Sequence, residues 1–186
     1  MANTLILNVD ELWLKGKNRP QYFKAIKNHF KQVIKEYHQS DFTLENEEQR
    51  LVAKSQEDFS DELVTALLKV PGLNSLIPAQ RIGVDFDQIM PALIARLKDI
   101  PAPASFKVET YRPYKKFPMR SLDVSREIGH LLLQEFPHWK VNVHKPAMKV
   151  EIRILEKNIY LSTGQLPGIG GQPWGMSGHA ISLLSG

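Results

Sequence analysis

Basic side chains concentrated in two short segments are the feature of this sequence best suited to chemistry with a ligand. Residues 15–35 carry seven Lys and Arg residues and no acid, and residues 107–120 carry five with a single acid. The rest of the chain holds 12 basic and 19 acidic side chains, so the net charge of +4 conceals a strong asymmetry. This asymmetry predicts a surface that binds a polyanion.

The first basic segment places lysines along one side of a predicted helix. Apolar residues from Phe23 to Tyr37 recur at spacings typical of a helix with one buried stripe. At about 100° per residue, four lysines form a second stripe on a flank of that helix. The alternative is a solvated helix face, although such faces usually mix charges to form ion pairs. The candidate phosphate contacts are Lys15, Lys17, Arg19, Lys24, Lys27, Lys31 and Lys35.

The second basic segment interleaves aromatic and cationic residues between a predicted strand and a predicted helix that starts at Ser121. Cations neutralise phosphates, and aromatic rings stack on unpaired bases. The helix start adds free backbone N–H groups that suit a phosphate. The alternative is a surface loop whose aromatic residues fill the core, and Phe117 is expected in the core under either interpretation. The candidate RNA contacts are Tyr111, Arg112, Tyr114, Lys115, Lys116 and Arg120.

Several other kinds of site find little support in the sequence. The chain has no cysteine, which excludes disulfides and a thiol nucleophile, and its six histidines are too scattered to predict a metal site. Apolar runs are shorter than the roughly 18–20 residues that span a bilayer, and the start does not resemble a signal peptide. We therefore expect a cytoplasmic protein without a membrane segment, and no catalytic site within these residues.

The elements that must position the two basic segments follow from periodicity and turn signals. Residues 4–9, Phe42–Lys54 and Leu76–Val84 alternate like strands, with a hairpin through Glu45–Gln49. One helix begins near Arg19-Pro20, and another is capped by Ser60 and stopped by Pro71-Gly72. The resulting β-α-β-α-β order predicts a ferredoxin-like domain.

A second module follows in a looser version of the same pattern. Helices are predicted over Asp87–Lys98 and from Ser121 to Phe136, and strands over Ser105–Tyr111, Trp139–Val143 and Lys149–Leu161. Residues 164–178 hold six of the 11 glycines. That segment could cradle a phosphate, but it lacks the lysine and the spacing of a P-loop, so a linker is the favoured interpretation.

Three motifs of the sequence are more specific than its charge pattern. They are residues 11–19, Glu-Leu-Trp-Leu-Lys-Gly-Lys-Asn-Arg, followed by Phe23; Lys116-Phe117-Pro118 with Ser121; and the glycine-rich segment with its end at Ser185-Gly186. Together they resemble the tRNA 4-thiouridine synthetases, the tRNA sulfurtransferases that also serve thiamine biosynthesis. The first motif is similar to that family's N-terminal signature, the second to the centre of its THUMP domain, and the third to the linker into its catalytic domain.

This resemblance implies an α+β architecture, with a ferredoxin-like domain over 1–82, an α/β THUMP domain over 83–166, and over 167–186 a glycine-rich linker with the start of a PP-loop domain. It implies that the two domains bind tRNA at the acceptor end and its unpaired 3′ tail. The PP-loop domain, with ATP and Mg, would thiolate a uridine and would follow the present residues, which hold no cofactor of their own. A homodimer is a further possibility.

Two alternatives stay open. The chain could be the RNA-binding THUMP module of another tRNA-modifying enzyme, such as a methyltransferase or a pseudouridine synthase. It could also be a stand-alone interaction module whose basic face meets an acidic protein. Under every interpretation, both basic segments serve one polyanion only if the two modules bring them to the same partner.

Overall fold

The computed structural model describes residues 2–9, 19–47 and 50–175. The chain divides into two units, which we call the first and the second unit. The first unit comprises Ile6–Leu76 with Leu166–Gly186, and the second comprises Met1–Leu5 with Ile77–Gln165. The glycine-rich segment therefore belongs with the first unit, although in sequence it follows the second.

The first unit has the β-α-β-β-α-β order of a ferredoxin-like fold, and the predicted fold class is confirmed. The strands lie in the order β2-β3-β1-β4, in which residues 6–8 of β1 and residues 75 and 76 of β4 belong to this unit. The predicted hairpin strands β2 and β3 pair antiparallel, while residues 48 and 49 between them lie outside the described residues. The elements are β1 (Thr4–Asn8), α1 (Arg19–Tyr37), β2 (Phe42–Glu47), β3 (Arg50–Ser55), α2 (Asp61–Leu68) and β4 (Ser75–Ile82).

Both helices of the first unit form for the reasons that the sequence indicated. In α1, the apolar stripe puts Ile26, Phe30 and Ile34 fully in the core. At the start of α2, the Ser60 hydroxyl accepts a hydrogen bond from the Leu63 amide at 3.2 Å, which satisfies an N–H group that has no intrahelical partner. The helix ends at Leu68, two residues earlier than the apolar pattern predicted.

The second unit is a mixed sheet covered by two helices. Its strands lie in the order β4-β7-β6-β5, with β5 and β6 parallel and the other neighbours antiparallel. A short 3-10 turn, Phe86–Gln88, leads into α3. The elements after β4 are α3 (Ile89–Leu97), β5 (Phe106–Tyr111), α4 (Ser121–Glu135), β6 (Met148–Ile154) and β7 (Ile159–Ser162).

The predicted strand over Trp139–Val143 is wrong. Val141 forms only an isolated bridge to Phe106, and Val141 and Val143 are 52% and 56% exposed. The Asn142 side-chain oxygen accepts hydrogen bonds from the amides of His144 and Lys145, which turns the chain away from the sheet. Residues 139–143 therefore do not form a strand, although their apolar residues alternate as they would in one.

The glycine-rich segment is anchored to the first unit. Its residues Leu166–Pro167 form the two-residue strand β8, which pairs with the start of β4. Beyond β8, the amide of Gly168 donates to Asn74 O at 2.8 Å, and the amide of Gly170 donates to Leu73 O at 2.8 Å. Residues 166–170 are therefore held against the ferredoxin-like fold by strand pairing and backbone hydrogen bonds, and residues 176–186 lie outside the described residues.

Gly168 is expected to be the glycine of this segment least tolerant of a side chain. A Cβ atom there would lie 2.3 Å from the Leu73 carbonyl oxygen, so backbone would have to move. We expect Gly168→Ala to lower the free energy of unfolding by about 2 kcal/mol, measured by urea denaturation. Gly164→Ala is the matched control, because a Cβ at Gly164 meets nothing within 4 Å. Equal stability of the two variants would contradict the anchoring role.

Candidate nucleic-acid interface

The α1 lysine flank, defined as Lys24, Lys27, Lys31 and Lys35, lies on the solvent side of the first unit. Lys27 is half-buried and the other three are exposed, as the helical spacing predicted. Among the described residues, none of the four forms an ion pair with a carboxylate. The flank therefore presents four uncompensated positive charges to a ligand.

Three residues assigned to the first basic segment cannot be placed in the same way. Lys15 and Lys17 lie outside the described residues. Arg19 is the first residue of α1, and its side chain is outside the described part of the chain. Their assignment to phosphate contacts stays a prediction.

The second basic segment is a folded loop between β5 and α4, which we call the β5–α4 loop (residues 112–120). Arg112 organises it, because its Nη1 atom donates to the carbonyl oxygens of Lys115 at 2.8 Å and Phe117 at 3.0 Å. Its Nε atom is shielded from solvent and makes no hydrogen bond within the described residues. Part of the Arg112 guanidinium is thus committed to holding the loop, a role that the sequence did not suggest.

The fold of this loop separates its aromatic residues from most of its cations. Phe117 is 5% exposed and belongs to the core of the second unit, as predicted, and Tyr114 packs partly buried against the same core. Lys115, Lys116 and Arg120 point into solvent. The loop therefore offers three exposed cations, fixed in place by a buried ring and by Arg112.

The loop ends at the N-terminus of α4, which adds backbone donors to these cations. The Val124 amide donates to Arg120 O at 3.0 Å, so the three preceding amides have no intrahelical acceptor. Arg120 occupies the capping position and makes no side-chain capping bond. A phosphate at this point would meet both the positive end of the helix dipole and exposed side-chain cations.

Tyr111 lies at the end of β5 with its ring 42% exposed. The Arg153 guanidinium carbon lies 5.4 Å from the ring centroid, a cation–π distance that supports the ring from one side. Burial raises the pKa of Tyr111, and the nearby carboxylates of Glu109 and Glu151 raise it further. The phenol is therefore neutral near pH 7 and is a ring on which a base can stack.

A ladder of alternating charges lies beside Tyr111 on β5 and β6. Glu109 lies 3.0 Å from the Lys149 ammonium and 3.3 Å from the Lys107 ammonium. The hydrogen bond from Lys149 holds the pKa of Glu109 below its usual range and raises the pKa of Lys149. Lys107 is thus paired within the sheet.

Arg153 and Lys149 are charged neighbours of Tyr111 and Glu109 that the sequence did not identify. They lie on β6, about 40 positions beyond Tyr111, and only the parallel pairing of Tyr111 with Arg153 brings them together. A signal was available in β6, where Lys149, Glu151 and Arg153 alternate with buried apolar residues. That pattern indicates a charged sheet face but does not identify the strand beside it.

Two kinds of feature are missing from the described part of the chain. Residues 2–9, 19–47 and 50–175 contain no group of three or more His, Cys, Asp or Glu side chains arranged to hold a metal ion. Helices long and apolar enough to cross a bilayer are also absent from those residues.

Comparison with protein families identifies a domain model for each half of the chain. Residues 4–76 match the ThiI ferredoxin-like domain, and residues 85–163 match the THUMP domain. The two matches follow each other in the order that the sequence motifs predicted.

Curated relatives align over the whole chain. A probable tRNA sulfurtransferase of Alkaliphilus metalliredigens is 33% identical over 189 aligned residues, and one of Halothermothrix orenii is 35% identical over 193. The alignments cover all of this chain but 47% and 48% of those proteins. The chain therefore spans about half the length of the curated relatives that it matches.

Solved structures share the fold. A 4-thiouridine synthetase, crystallised with RNA and bound ATP, superposes with a TM-score of 0.81 at 23% identity over 100% of this chain and 47% of its own. The protein PH1313 from Pyrococcus horikoshii gives a TM-score of 0.73 at 21% identity, over 94% of this chain and 58% of its own. At these identities the superpositions establish the architecture.

Proposed function

We propose that this chain, which belongs to the tRNA sulfurtransferase family through its paired ThiI ferredoxin-like and THUMP domains, binds tRNA through the α1 lysine flank and the β5–α4 loop. The observation that carries the proposal is the concentration of exposed, unpaired cations on these two surfaces. Phosphate groups spaced along RNA are the polyanion that such surfaces suit.

The two surfaces have different chemistry, which suggests different parts of the RNA. The α1 lysine flank offers charge along three turns of helix without an exposed aromatic partner among its lysines, so it suits a phosphate backbone. The β5–α4 loop combines Lys115, Lys116 and Arg120 with the α4 N-terminus, and the exposed ring of Tyr111 lies at its start. Phosphate binding next to a stacking ring suits an unpaired strand.

We therefore assign the β5–α4 loop to the unpaired 3′ tail at the acceptor end of tRNA. Tyr111 is the stacking residue on this assignment, because Tyr114 is partly buried against the core. Arg112 acts as a positioning residue for Lys115 and Phe117. Recognition of this kind depends on shape and on single-stranded character more than on sequence.

Removal of the 3′ tail is the experiment that tests this function. We expect the chain to bind a tRNA transcript without its unpaired tail about tenfold more weakly than the complete transcript, because base stacking on an aromatic ring is lost. Fluorescence anisotropy over a salt series measures both affinities. The logarithm of the affinity should fall steeply with the logarithm of the salt concentration for both transcripts.

A double-stranded RNA of equal length without a tail is the control for charge alone. Equal affinity for tailed and tail-less transcripts would contradict the assignment to the 3′ end. An affinity that does not change with salt would contradict the electrostatic proposal as a whole.

For the full-length protein we propose an ATP-dependent tRNA uridine thiolation, with ATP and Mg bound by a PP-loop domain outside the present residues. The curated relatives named tRNA sulfurtransferases, about twice as long as this chain, support this proposal. Translation of the gene beyond Gly186 tests it, because the PP-loop motif Ser-Gly-Gly-x-Asp-Ser should continue from Ser185-Gly186. We extend the proposal to a role of the full-length protein in thiamine biosynthesis and to a homodimeric state.

A further inference from the structure

A groove on the first unit has properties that RNA binding does not explain. It runs between α1 and α2, has a volume of about 840 Å³, and is closed at one end by Trp174 of the glycine-rich segment. Val33, Ala66 and Val70 contribute apolar surface to it. The Trp174 side chain is 68% exposed, which is unusual for the largest apolar side chain.

The groove has an aromatic end and an acidic end. Helices α1 and α2 run antiparallel, since Ile26 lies against Gly72 at one end and the His38 ring contacts Phe59 at the other. The aromatic end therefore holds Trp174 and His29, whose rings are 5.9 Å apart in an edge-to-face arrangement.

At the opposite end, the groove is lined by Tyr37 and by the carboxylates of Glu36, Asp61 and Glu62. The backbone amide of Glu62 and the Ser60 hydroxyl hold the pKa of Glu62 below its usual range, so its charge is present at neutral pH. From His29 to Glu36, the seven-residue rise of α1 corresponds to about 10 Å.

An unsatisfied polar atom lies at the aromatic end. His29 Nδ1 is shielded from solvent and has no hydrogen-bond partner among the described residues. Buried ring nitrogens without a partner are uncommon in folded proteins. The observation that marks this end as an open apolar surface is the exposure of Trp174.

The negative charge of the groove disfavours RNA, the ligand proposed for the α1 lysine flank. On α1, the groove residues and the α1 lysine flank are centred roughly 160° apart around the helix axis, at about 100° per residue. Three carboxylates against one amine, Lys69, would repel a phosphate backbone. The first unit thus presents a cationic flank and an acidic groove on opposite sides of one helix.

We propose that this groove docks an amphipathic helix of a partner protein, with a bulky apolar side chain against Trp174 and Lys or Arg side chains against Glu36, Asp61 and Glu62. A groove between two helices is a common seat for the apolar face of a third. The 10 Å between the two ends equals about two helical turns, so anchors seven residues apart reach both. Residues 176–186 contain no Lys or Arg, so that part of this chain does not supply the cationic half.

A designed peptide provides a direct test of the inference. The probe is a fluorescein-labelled, alanine-rich helical peptide of sixteen residues, with Leu at its third, sixth and seventh positions and Lys at its tenth, thirteenth and fourteenth. We expect it to bind the chain at least tenfold more tightly than the same peptide with Glu in place of Lys. Fluorescence anisotropy gives both affinities, and higher salt should narrow the difference.

Substitutions locate the binding site. We expect Trp174→Ala to weaken the lysine peptide at least tenfold, and Glu36→Gln with Glu62→Gln to weaken it about fivefold. Ile169→Ala is the matched control, since Ile169 is 62% exposed in the same segment and does not line the groove. Circular dichroism establishes that each variant is folded.

Several outcomes would overturn the inference. They are no binding of the lysine peptide at millimolar concentration, equal binding of the glutamate peptide, and unchanged binding by the Trp174→Ala variant. Sedimentation showing that the chain dimerises through this groove would also overturn it, because the occupant would be a second copy. All groove variants should retain tRNA affinity within about twofold, so a failure here is distinguishable from a failure of tRNA binding.

Discussion

Charge reversal at Lys115 and Lys116 is expected to weaken tRNA binding by at least about 100-fold near physiological salt. Both side chains are exposed on the β5–α4 loop. Arg112 fixes the loop backbone, because it donates hydrogen bonds to the carbonyl oxygens of Lys115 and Phe117. The double change Lys115→Glu and Lys116→Glu removes two phosphate contacts and places two negative charges beside the RNA backbone. Since electrostatics dominates the affinity of such surfaces, repulsion adds to the lost attraction.

The control for this variant is Lys140→Glu with Lys145→Glu. These two lysines are also exposed in the second unit, and the net charge changes by the same amount. Anisotropy titrations with complete tRNA should show only a small loss for the control pair. Comparable losses in both double variants would mean that net charge, and not the β5–α4 loop, determines binding.

Neutralisation of the α1 lysine flank is expected to lower tRNA affinity by about 100-fold and to flatten its salt dependence. The variant carries Gln at Lys24, Lys27, Lys31 and Lys35, which keeps the polarity and the helix propensity of these positions. Each lost phosphate contact removes about 0.7–0.9 from the slope of log affinity against log salt. Loss of all four should therefore reduce the slope by about three.

Four lysines of the second unit provide the comparison at equal net charge. Gln at Lys98, Lys140, Lys145 and Lys157, all exposed, should leave the slope within about one of the parent value. A steep slope retained by the α1 variant would show that its lysines do not contact phosphate. A loss of affinity in both the α1 variant and the β5–α4 loop variant would support binding of one tRNA by both surfaces.

Much of the fold could be predicted because local signals sufficed. The spacing of Ile26, Phe30 and Ile34 determined which face of α1 is buried, and hence on which flank the lysines lie. Ser60 marked the start of α2, and Phe117 was expected in the core on its position between a strand and a helix. These signals depend on residues that are close together in the sequence, so they can be recognised without knowing which elements pack against each other.

The errors and omissions arose where distant residues decide the outcome. The apolar alternation of 139–143 suggested a strand, but Asn142 turns the chain after a single bridge. The glycine-rich segment was favoured as a linker from its composition, and its residues 168–170 are hydrogen-bonded to the end of α2 and to the turn that leads into β4. Neither outcome could be predicted from composition, because each depends on which nearby backbone N–H and C=O groups still lack a hydrogen-bond partner.

By itself, the sequence determined that this protein has two α/β modules, each with one basic segment, and that the first presents lysines on a helical flank. Tertiary structure alone decided that Arg112 holds its own loop, that Arg153 supports Tyr111, and that Trp174 closes an acidic groove between α1 and α2. The physical reason is the range of the interactions. Helical periodicity and capping are set within a few residues, whereas packing, cation–π contacts and grooves join side chains that are far apart in the chain.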